Sequence, residues 1–250
     1  MTAQKIALIT GASRGIGAAT AMLFAERGYA VCINYLSNSA AAEQIEQHIV
    51  QRGGRCISVK ADVSNAEDVS KLFGRIDAEL GRITVLVNNA AILSTQCRLE
   101  DISEARFSHV LRTNLLSCFL CCKEAVKRMS SRHGGTGGAI VNVSSLAART
   151  GSPNEYIDYA ASKGAVDTLT RGLALEVASE GIRVNGVRPA LIYTDMHASG
   201  GEADRVTRLK SNIPMLRGGQ PEEVALAIFW LASEQASYVT GSFIDAAGGL

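Results

Sequence analysis

Short apolar runs alternate with longer segments of helical periodicity along the whole chain, and this alternation constrains the fold more than any other feature. Strand-like runs lie at 6–10, 30–34, 56–60, 85–88, 139–144, 183–188 and 242–245. Helix-like segments lie at 15–27, 40–52, 66–80, about 103–132, 156–179 and 221–232. Several strands carry apolar residues at both odd and even positions, as expected for strands buried on both faces of a parallel sheet. The pattern predicts a doubly wound, Rossmann-type α/β sandwich of three layers with a seven-stranded, mostly parallel sheet.

The chain has 250 residues, of which 47% are hydrophobic, and this is enough for one well-buried core. It contains no linker, repeat or low-complexity tract, so we expect a single catalytic domain over 1–250. The segment at about 190–215 is the longest without a clear strand. A loop of that length in a compact domain is often a lid, and we expect a substrate lid there.

Charge and hydropathy bear on the partners of the protein. The formal net charge is +1, which creates no field for nucleic acid or for an anionic membrane. No apolar run approaches the roughly 20 residues that span a bilayer. Residues 1–5 lead into an apolar segment, 6–9, that is too short for the core of a signal peptide. We therefore expect a soluble, cytoplasmic protein without nucleic-acid or membrane partners.

Cys118 and Cys121 form a CxxC pair, which is a pattern found in redox and zinc sites. No second CxxC or histidine pair supplies the other ligands of a zinc site. The pair lies in an apolar stretch, 115–122, where cysteine packs as a small hydrophobic residue. We expect all six cysteines to be reduced and structural, and we expect no metal site.

Residues 11–17, Gly-Ala-Ser-Arg-Gly-Ile-Gly, follow the first strand directly and open the first helix. Glycines there permit a tight turn, and the helix N-terminus offers free N–H groups to a pyrophosphate. The spacing GxxxGxG differs from the more common GxGxxG. Its position at the first strand–helix junction is where such sheets bind dinucleotides, so the loop predicts a dinucleotide site.

The end of the second strand distinguishes NAD from NADP. A carboxylate there would bind the ribose hydroxyls and repel a 2′-phosphate, but residues 31–38, which include Asn34 and Tyr35, contain none. Arg14 places a cation within the glycine loop. The pattern favours NADP(H) over NAD(H), with Asn34 and Tyr35 as candidate contacts. The alternative for Arg14 is a side chain that merely faces solvent.

Tyr159 and Lys163 are spaced i, i+4 in a predicted helix and so lie on one face of it. A nearby ammonium and an oxidised nicotinamide would both favour the phenolate. Lowering a tyrosine pKa from about 10 to about 7 requires roughly 4 kcal/mol. Such a tyrosine acts as a general acid in reduction and as a general base in oxidation. Tyr156 is a rival without a lysine four residues later.

Two further polar residues accompany this pair. Ser145 lies just past a strand, at the edge of the sheet where ligands bind, and its hydroxyl is the preferred candidate over Ser144 for orienting a reacting carbonyl. Asn114 stands in apolar surroundings within a predicted helix. Either it pairs with backbone, or it holds a water molecule that relays protons to Lys163.

Taken together in this order, these motifs resemble the short-chain dehydrogenase/reductase family over essentially the whole chain. The resemblance implies hydride transfer from nicotinamide, with Tyr159 as proton donor, Ser145 orienting the substrate, Lys163 binding ribose and lowering the tyrosine pKa, and Asn114 completing a proton relay. It also implies a homotetramer without metal. The cofactor contacts that it implies, beyond Tyr159 and Lys163, are Gly11, Ser13, Arg14, Ile16, Gly17, Asp62, Val63, Asn89, Ala90, Pro189, Ile192 and Thr194.

Two positions depart from the family pattern, which commonly has glycine where this chain has Ala91 and Ala190. Each alanine adds a Cβ atom and restricts positive φ. We expect either one to narrow the space around nicotinamide or at the base of the lid, without removing a catalytic group.

The sequence does not identify the substrate. The expected pocket residues, Ile92, Leu93, Ile192, Met196 and His197, carry few charges. They are consistent with an apolar ketone, a 3-oxoacyl thioester or a sugar lactone/aldose couple. His197 is either a substrate contact or, as is more usual for a lone histidine on a lid, solvated.

Two other functions compete with an active enzyme of this kind. A cofactor-binding sensor or scaffold with little activity would be consistent with Ala91 and Ala190. A Rossmann-like methyltransferase is disfavoured because it has no use for the Tyr159–Lys163 pair.

Overall fold

The structure is a computed structural model that describes residues 4–250, so the expectation about an N-terminal leader lies partly outside the described residues. The seven strands are β1 (Ile6–Ile9), β2 (Ala30–Tyr35), β3 (Cys56–Lys60), β4 (Val85–Asn88), β5 (Gly138–Val143), β6 (Ile182–Pro189) and β7 (Phe243–Ala246). They form one sheet in the order β3-β2-β1-β4-β5-β6-β7. All neighbouring pairs are parallel, so the sheet is wholly parallel where mostly parallel was predicted.

Ten α-helices connect or follow the strands in the described part of the chain. They are α1 (Gly15–Glu26), α2 (Ser39–Gln51), α3 (Ala66–Glu79), α4 (Glu104–Leu111), α5 (Ser117–Met129), α6 (Ala147–Thr150), α7 (Ile157–Val177), α8 (Met196–Ser199), α9 (Arg205–Leu209) and α10 (Pro221–Ala232). The single long helix expected at about 103–132 is wrong in detail, because a π-helical turn, Arg112–Leu116, separates α4 from α5. Such turns insert one residue into the hydrogen-bond ladder and often occur at functional sites.

Alternate strand residues enter two hydrophobic cores, one on each face of the sheet. On one face Leu8 and Leu86 pack with residues of α3, α5 and α7, among them Phe73. On the other face Ile9 and Val87 pack with residues of α1, α2 and α10. These two cores hold helices on both sides of the sheet, which confirms the three-layer, doubly wound architecture.

The strand order changes direction between β1 and β4, and the carboxyl ends of the strands open there into a crevice where such sheets bind ligands. The expected lid segment, 190–215, crosses this edge. It is more structured than predicted: it contains α8 and α9, and Ile192 forms an isolated parallel bridge with Gly219.

All six cysteines are free thiols, and Cys118 and Cys121 are buried on α5. Burial raises the pKa of the Cys121 thiol, so this group stays protonated and packs as an apolar residue. Within 4–250, no helix has both the length and the apolar character needed to cross a membrane.

Candidate active site

The glycine loop between β1 and α1 has the shape of a cradle. Gly11 and Gly15 have φ of +61° and +54°, a left-handed conformation that favours glycine. A Cβ atom on Gly17 would lie 2.6 Å from both Asn89 Nδ2 and Gly11 O. The helix that follows has no side-chain cap at its N-terminus, where Arg14 stands. The loop therefore fits the pyrophosphate of a dinucleotide, because its N–H groups can receive an anion.

The loop is fixed to the end of β4 through Asn89 and Thr10. Asn89 Nδ2 donates to the main-chain oxygens of Thr10, at 2.9 Å, and Gly11, at 3.1 Å. The main-chain N–H groups of Asn89 and Ala90 both donate to Thr10 Oγ1, at 3.0 Å. Both donors of the Asn89 amide are thus engaged within the protein, so this side chain helps to fix the conformation of the glycine loop.

Asn34, an expected cofactor contact, is also turned inward. It is 2% exposed, its Nδ2 donates to Ala61 O at 3.0 Å, and its Oδ1 accepts from Gly11 N at 3.3 Å. The amide joins β2, β3 and the glycine loop. The next residue, Tyr35, ends β2 and is half-buried.

The residues expected near adenine follow β3. The Oδ1 atom of Asp62 accepts hydrogen bonds from the main-chain nitrogen and the hydroxyl of Ser64, at 2.8 and 2.7 Å. Val63 is buried in the core. The side chain of Arg14 is exposed, and it forms no ion pair or hydrogen bond with the side chains or main chain of residues 4–250.

Ser145 and Tyr159 meet at the carboxyl end of β5. Ser145 lies two residues past the strand, and Tyr159 lies in the first turn of α7. Burial raises the pKa of Tyr159 to about 12, and the nearby Ser145 hydroxyl opposes that rise. The pKa near 7 that we expected is therefore not reached in the protein alone, and the phenol is neutral and able to donate a proton.

Lys163 is buried beneath Tyr159. Its Nζ atom donates to Val143 O at 2.7 Å and lies 5.6 Å from the centre of the Tyr159 ring. Burial lowers the pKa of Lys163 to about 8, and the negative charge of Asp167 acts in the opposite direction. The ammonium is anchored to the strand, and it faces the tyrosine ring without a hydrogen bond between Nζ and the phenol oxygen.

Asn114 lies in the π-helical turn and is 2% exposed. Its Oδ1 accepts from Ile92 N at 2.8 Å, and its Nδ2 donates to Ile92 O at 3.1 Å and to Ser162 Oγ at 3.1 Å. Of the two roles considered for Asn114, the structure contains the pairing with backbone. The residue connects the segment after β4 to the helix that carries Tyr159 and Lys163.

A cavity of about 330 Å³ lies at this edge of the sheet. It brings together the expected residues Ser145, Tyr159, Lys163, Ile16, Asn89, Pro189, Ile192 and Thr194, and the lid residues Met196 and His197. The other expected residues do not line it; these are Gly11, Ser13, Arg14, Gly17, Asn34, Tyr35, Asp62, Val63, Ala90, Ile92 and Asn114. In the part of the chain that the structure describes, no group of three or more His, Cys, Asp or Glu side chains is placed to hold a metal ion.

Ala91 and Ala190 both line the cavity. Neither has a positive φ, so the alanine side chains cause no backbone strain at these two positions. Ala190 N donates to Ala246 O at 3.2 Å, which connects the start of segment 190–215 to β7.

Arg205 is a site residue that sequence reasoning missed. It lines the cavity and is 8% exposed. Its guanidinium binds both carboxylate oxygens of Glu155, at 2.9 and 2.5 Å, and Glu202 at 3.1 Å, and it lies 5.2 Å from the centre of the Tyr156 ring. Arg205 and Glu155 lie fifty residues apart in the sequence, so no local sequence pattern predicts this ion pair.

His197 differs from the expectation of a solvated lid residue. It is half-buried and its Nε2 atom lies 2.9 Å from Ile192 O. The contact with Ile192 holds the ring within segment 190–215 and keeps it from extending into solvent.

Comparisons with known proteins agree with this geometry. A family model described as enoyl-(acyl carrier protein) reductase matches residues 11–250. The chain is 61% identical to the uncharacterized oxidoreductase YgfF of Escherichia coli, over 98% of this chain and 99% of that one. It is 40% identical to a 3-oxoacyl-[acyl-carrier-protein] reductase of Synechocystis, over 100% and 98% of the two chains. A crystal structure of a short-chain type dehydrogenase/reductase from Mycobacterium marinum superimposes with a TM-score of 0.91 at 35% identity, covering 98% of this chain and 94% of that one.

Proposed function

The chain belongs to the short-chain dehydrogenase/reductase family, and on that premise we propose that it is an NADP(H)-dependent oxidoreductase acting on a ketone, a 3-oxoacyl thioester or a sugar carbonyl, or on the corresponding alcohol. The observation that carries the proposal is the placement of Tyr159, Ser145 and Lys163 on one cavity beside the glycine loop. Enzymes of this family act on CH–OH or C=O groups.

In this proposal the glycine loop and Lys163 would hold NADPH, which would supply the hydride for the carbonyl carbon. The neutral phenol of Tyr159 donates its proton to the carbonyl oxygen, and the Ser145 hydroxyl holds that oxygen beside the phenol. Lys163, fixed on Val143, stabilises the phenolate that remains. The product is an alcohol, and the same groups act in reverse during oxidation.

Two features support NADP(H) over NAD(H). Residues 31–38 offer no carboxylate that would repel a 2′-phosphate. The exposed Arg14 has no ion-pair partner within 4–250, so its charge is available to a phosphate.

The cofactor preference is tested by comparing kcat/KM for NADPH and NADH in the wild type and in Arg14→Gln. We expect the wild type to prefer NADPH, and the substitution to raise the KM for NADPH by about tenfold while leaving that for NADH unchanged. The exposed Arg27→Gln, at the other end of α1, serves as the charge-matched control. A wild type that prefers NADH would contradict the NADP(H) assignment.

The substrate class is supported by the lining of the cavity and by the relatives. Leu93, Leu146, Met196 and Leu209 give the cavity apolar walls. The 40% identity to the Synechocystis enzyme supports the 3-oxoacyl thioester within the proposed range. A screen of ketones, 3-oxoacyl thioesters and aldoses, followed by NADPH absorbance, tests the function. Oxidation of NADPH by none of them, with cofactor binding intact, would favour a sensor or scaffold.

We also propose a cytoplasmic homotetramer. The free thiols are consistent with a reducing compartment. Exposed apolar side chains on two helices, Phe119 on α5 and Leu175 on α7, are consistent with subunit contacts. Analytical ultracentrifugation measures the assembly, and a monomer at micromolar concentration would contradict it.

A further inference from the structure

A buried ion pair between Arg106 and Asp158 lies beside the proposed proton donor. Asp158 directly precedes Tyr159 in the first turn of α7, and its side chain is 1% exposed. Arg106 lies on α4. Its Nε atom donates to Asp158 Oδ2 at 2.7 Å, and its Nη2 atom donates to Oδ1 at 3.2 Å. This forked arrangement fixes both groups in distance and in orientation, so it holds α4 and α7 together next to Tyr159.

The same carboxylate also binds the main chain of Tyr159. Tyr159 N donates to Asp158 Oδ1 at 2.9 Å. Tyr159 is the third residue of α7, and the first N–H groups of a helix have no acceptor within it. Asp158 supplies this acceptor, and a negative charge at a helix N-terminus is favourable. The backbone of Tyr159 is thus connected through Asp158 to Arg106.

Arg106 also holds the segment that follows β4. Its Nη1 atom donates to Thr95 O at 2.8 Å and to Cys97 Sγ at 3.0 Å. Leu93, two residues before Thr95, lines the cavity. One guanidinium therefore fixes the first turn of α7 and segment 95–97 relative to each other.

The next turn of α7 is held by other contacts. Lys163 is anchored to β5, and Ser162 accepts a hydrogen bond from Asn114. Neither contact involves Arg106. Loss of Arg106 would therefore loosen the turn that carries Tyr159 and leave Lys163 in place.

We propose that Arg106 is a positioning residue for the proton transfer, because through Asp158 it holds the phenol of Tyr159 where its proton can reach the carbonyl oxygen. Neither Arg106 nor Asp158 lines the cavity, so the pair acts through Tyr159 and not by touching the substrate. This inference rests on the proposed function, because it concerns the step in which Tyr159 protonates the substrate. A displacement of about 1 Å at a reacting group can slow a reaction by about a hundredfold.

Two changes at the ion pair test this role. Arg106→Gln leaves the buried carboxylate of Asp158 without its cation, which lowers the stability of the fold. Arg106→Met combined with Asp158→Asn removes both charges together and avoids that cost. The asparagine oxygen can still accept from Tyr159 N, so this double variant loses only the connection to α4 and to segment 95–97.

Both variants are made in the wild type and in combination with Tyr159→Phe. The substrate is the member of the ketone, thioester and aldose screen that the wild type reduces fastest with NADPH. Measurements are kcat and KM for that substrate, single-turnover rates in the Tyr159→Phe background, the dissociation constant of NADPH, and urea unfolding.

Arg128→Gln is the matched control. The side chain of Arg128 is 18% exposed, against 19% for Arg106, and it also binds carboxylates. Its partners, Asp77 on α3 and Glu124 on α5, do not line the cavity. This substitution should lower stability without changing kcat.

We expect both changes at the ion pair to lower kcat by about 10- to 100-fold. KM and the dissociation constant of NADPH should stay within about twofold of the wild-type values. In the Tyr159→Phe background the same changes should slow the single-turnover rate by less than about twofold, because the group that they position is absent. A general loss of structure would slow both backgrounds alike.

Four outcomes would overturn the inference. These are an unchanged kcat in both variants, equal losses with and without the Tyr159 phenol, a marked fall in NADPH affinity, and a double variant that does not fold, which would assign the pair to folding. Each of them leaves turnover by the wild type intact and contradicts the inference alone. If the wild type reduces no member of the screen, the proposed function itself fails, and the inference fails with it.

Discussion

The ammonium of Lys163 is held by the main-chain oxygen of Val143, with 2.7 Å between Nζ and O. This bond anchors the lysine to the last residue of β5, immediately before Ser144 and Ser145. Burying a cation with one neutral acceptor is unfavourable, and the pKa of Lys163 is accordingly lowered to about 8. The buried charge of Lys163 therefore destabilises the folded protein when no cofactor is bound.

Lys163→Met should make the cofactor-free protein more stable at pH 7 although it removes activity. A fall in pKa from 10.5 to about 8 corresponds to a cost of about 3 kcal/mol below pH 8. Removing the charge recovers this free energy, but the loss of the hydrogen bond to Val143 offsets part of it. We therefore expect the free energy of unfolding to rise by about 1–2 kcal/mol. Urea unfolding at pH 7 measures it.

The pH dependence of this gain in stability shows whether it comes from removal of the buried charge or from better packing of the methionine. Between pH 8 and 10.5 the unfolded chain binds the lysine proton more strongly than the folded chain does, so the wild type becomes more stable as pH rises. The difference between Lys163→Met and wild type should shrink over this range. A gain that is constant from pH 7 to pH 10 would show that the burial of the charge is not its cause.

Gly17→Ala should disrupt the cofactor loop. The added Cβ would lie 2.6 Å from Asn89 Nδ2 and from Gly11 O, so Asn89 or the loop must shift and the hydrogen bonds between them are weakened. We expect a loss of about 1–3 kcal/mol in the free energy of unfolding and a large rise in the dissociation constant of NADPH. Titration calorimetry measures the second effect.

Gly74→Ala is the matched control for this change. Gly74 lies within α3 and a Cβ there has nothing within 4 Å, so alanine should stabilise the helix by about 0.5–1 kcal/mol. Its NADPH affinity should equal that of the wild type. If Gly17→Ala bound NADPH with the affinity of the wild type, the glycine loop would not be the dinucleotide site.

Asn114→Ala should reduce both stability and turnover. It leaves the main-chain N–H of Ile92 without its acceptor and Ser162 without its donor, at a cost of about 2–3 kcal/mol. Because Asn114 connects this segment to the helix of Tyr159, we expect kcat to fall by at least about tenfold. Asn65→Ala, which removes the cap of α3, should cost about 1 kcal/mol with kcat unchanged. Unchanged kcat in Asn114→Ala would restrict this residue to a structural role.

The fold was largely predictable because four of its strands, β1, β2, β4 and β5, are buried on both faces and consist mostly of apolar residues. The runs at 56–60 and 85–88 and the helix at 221–232 match the structure to the residue. The π-helical turn at Arg112–Leu116 was not predictable, because one extra residue in a helix leaves the apolar pattern nearly unchanged.

The site was predictable where its residues are close in sequence or follow a strand. Tyr159, Lys163 and Ser145 meet at one cavity as expected. The inward turn of Asn34 was not foreseen, since it depends on main-chain atoms of Ala61 and Gly11. The contact between His197 and Ile192 depends on how segment 190–215 folds back, and a single histidine gives no sequence pattern that predicts it.

Tyr159 is the proposed proton donor of the NADPH-dependent reduction, and its removal tests this role most directly. The measurement is single-turnover reduction of the best ketone by Tyr159→Phe, with NADPH affinity measured alongside. Tyr156→Phe is the control, because Tyr156 lines the same cavity but its hydroxyl donates to Gly200 O. We expect Tyr159→Phe to lose about two to four orders of magnitude in rate with NADPH affinity retained, and Tyr156→Phe to keep most of its rate. A Tyr159→Phe variant that reduces the ketone at the wild-type rate would contradict the account.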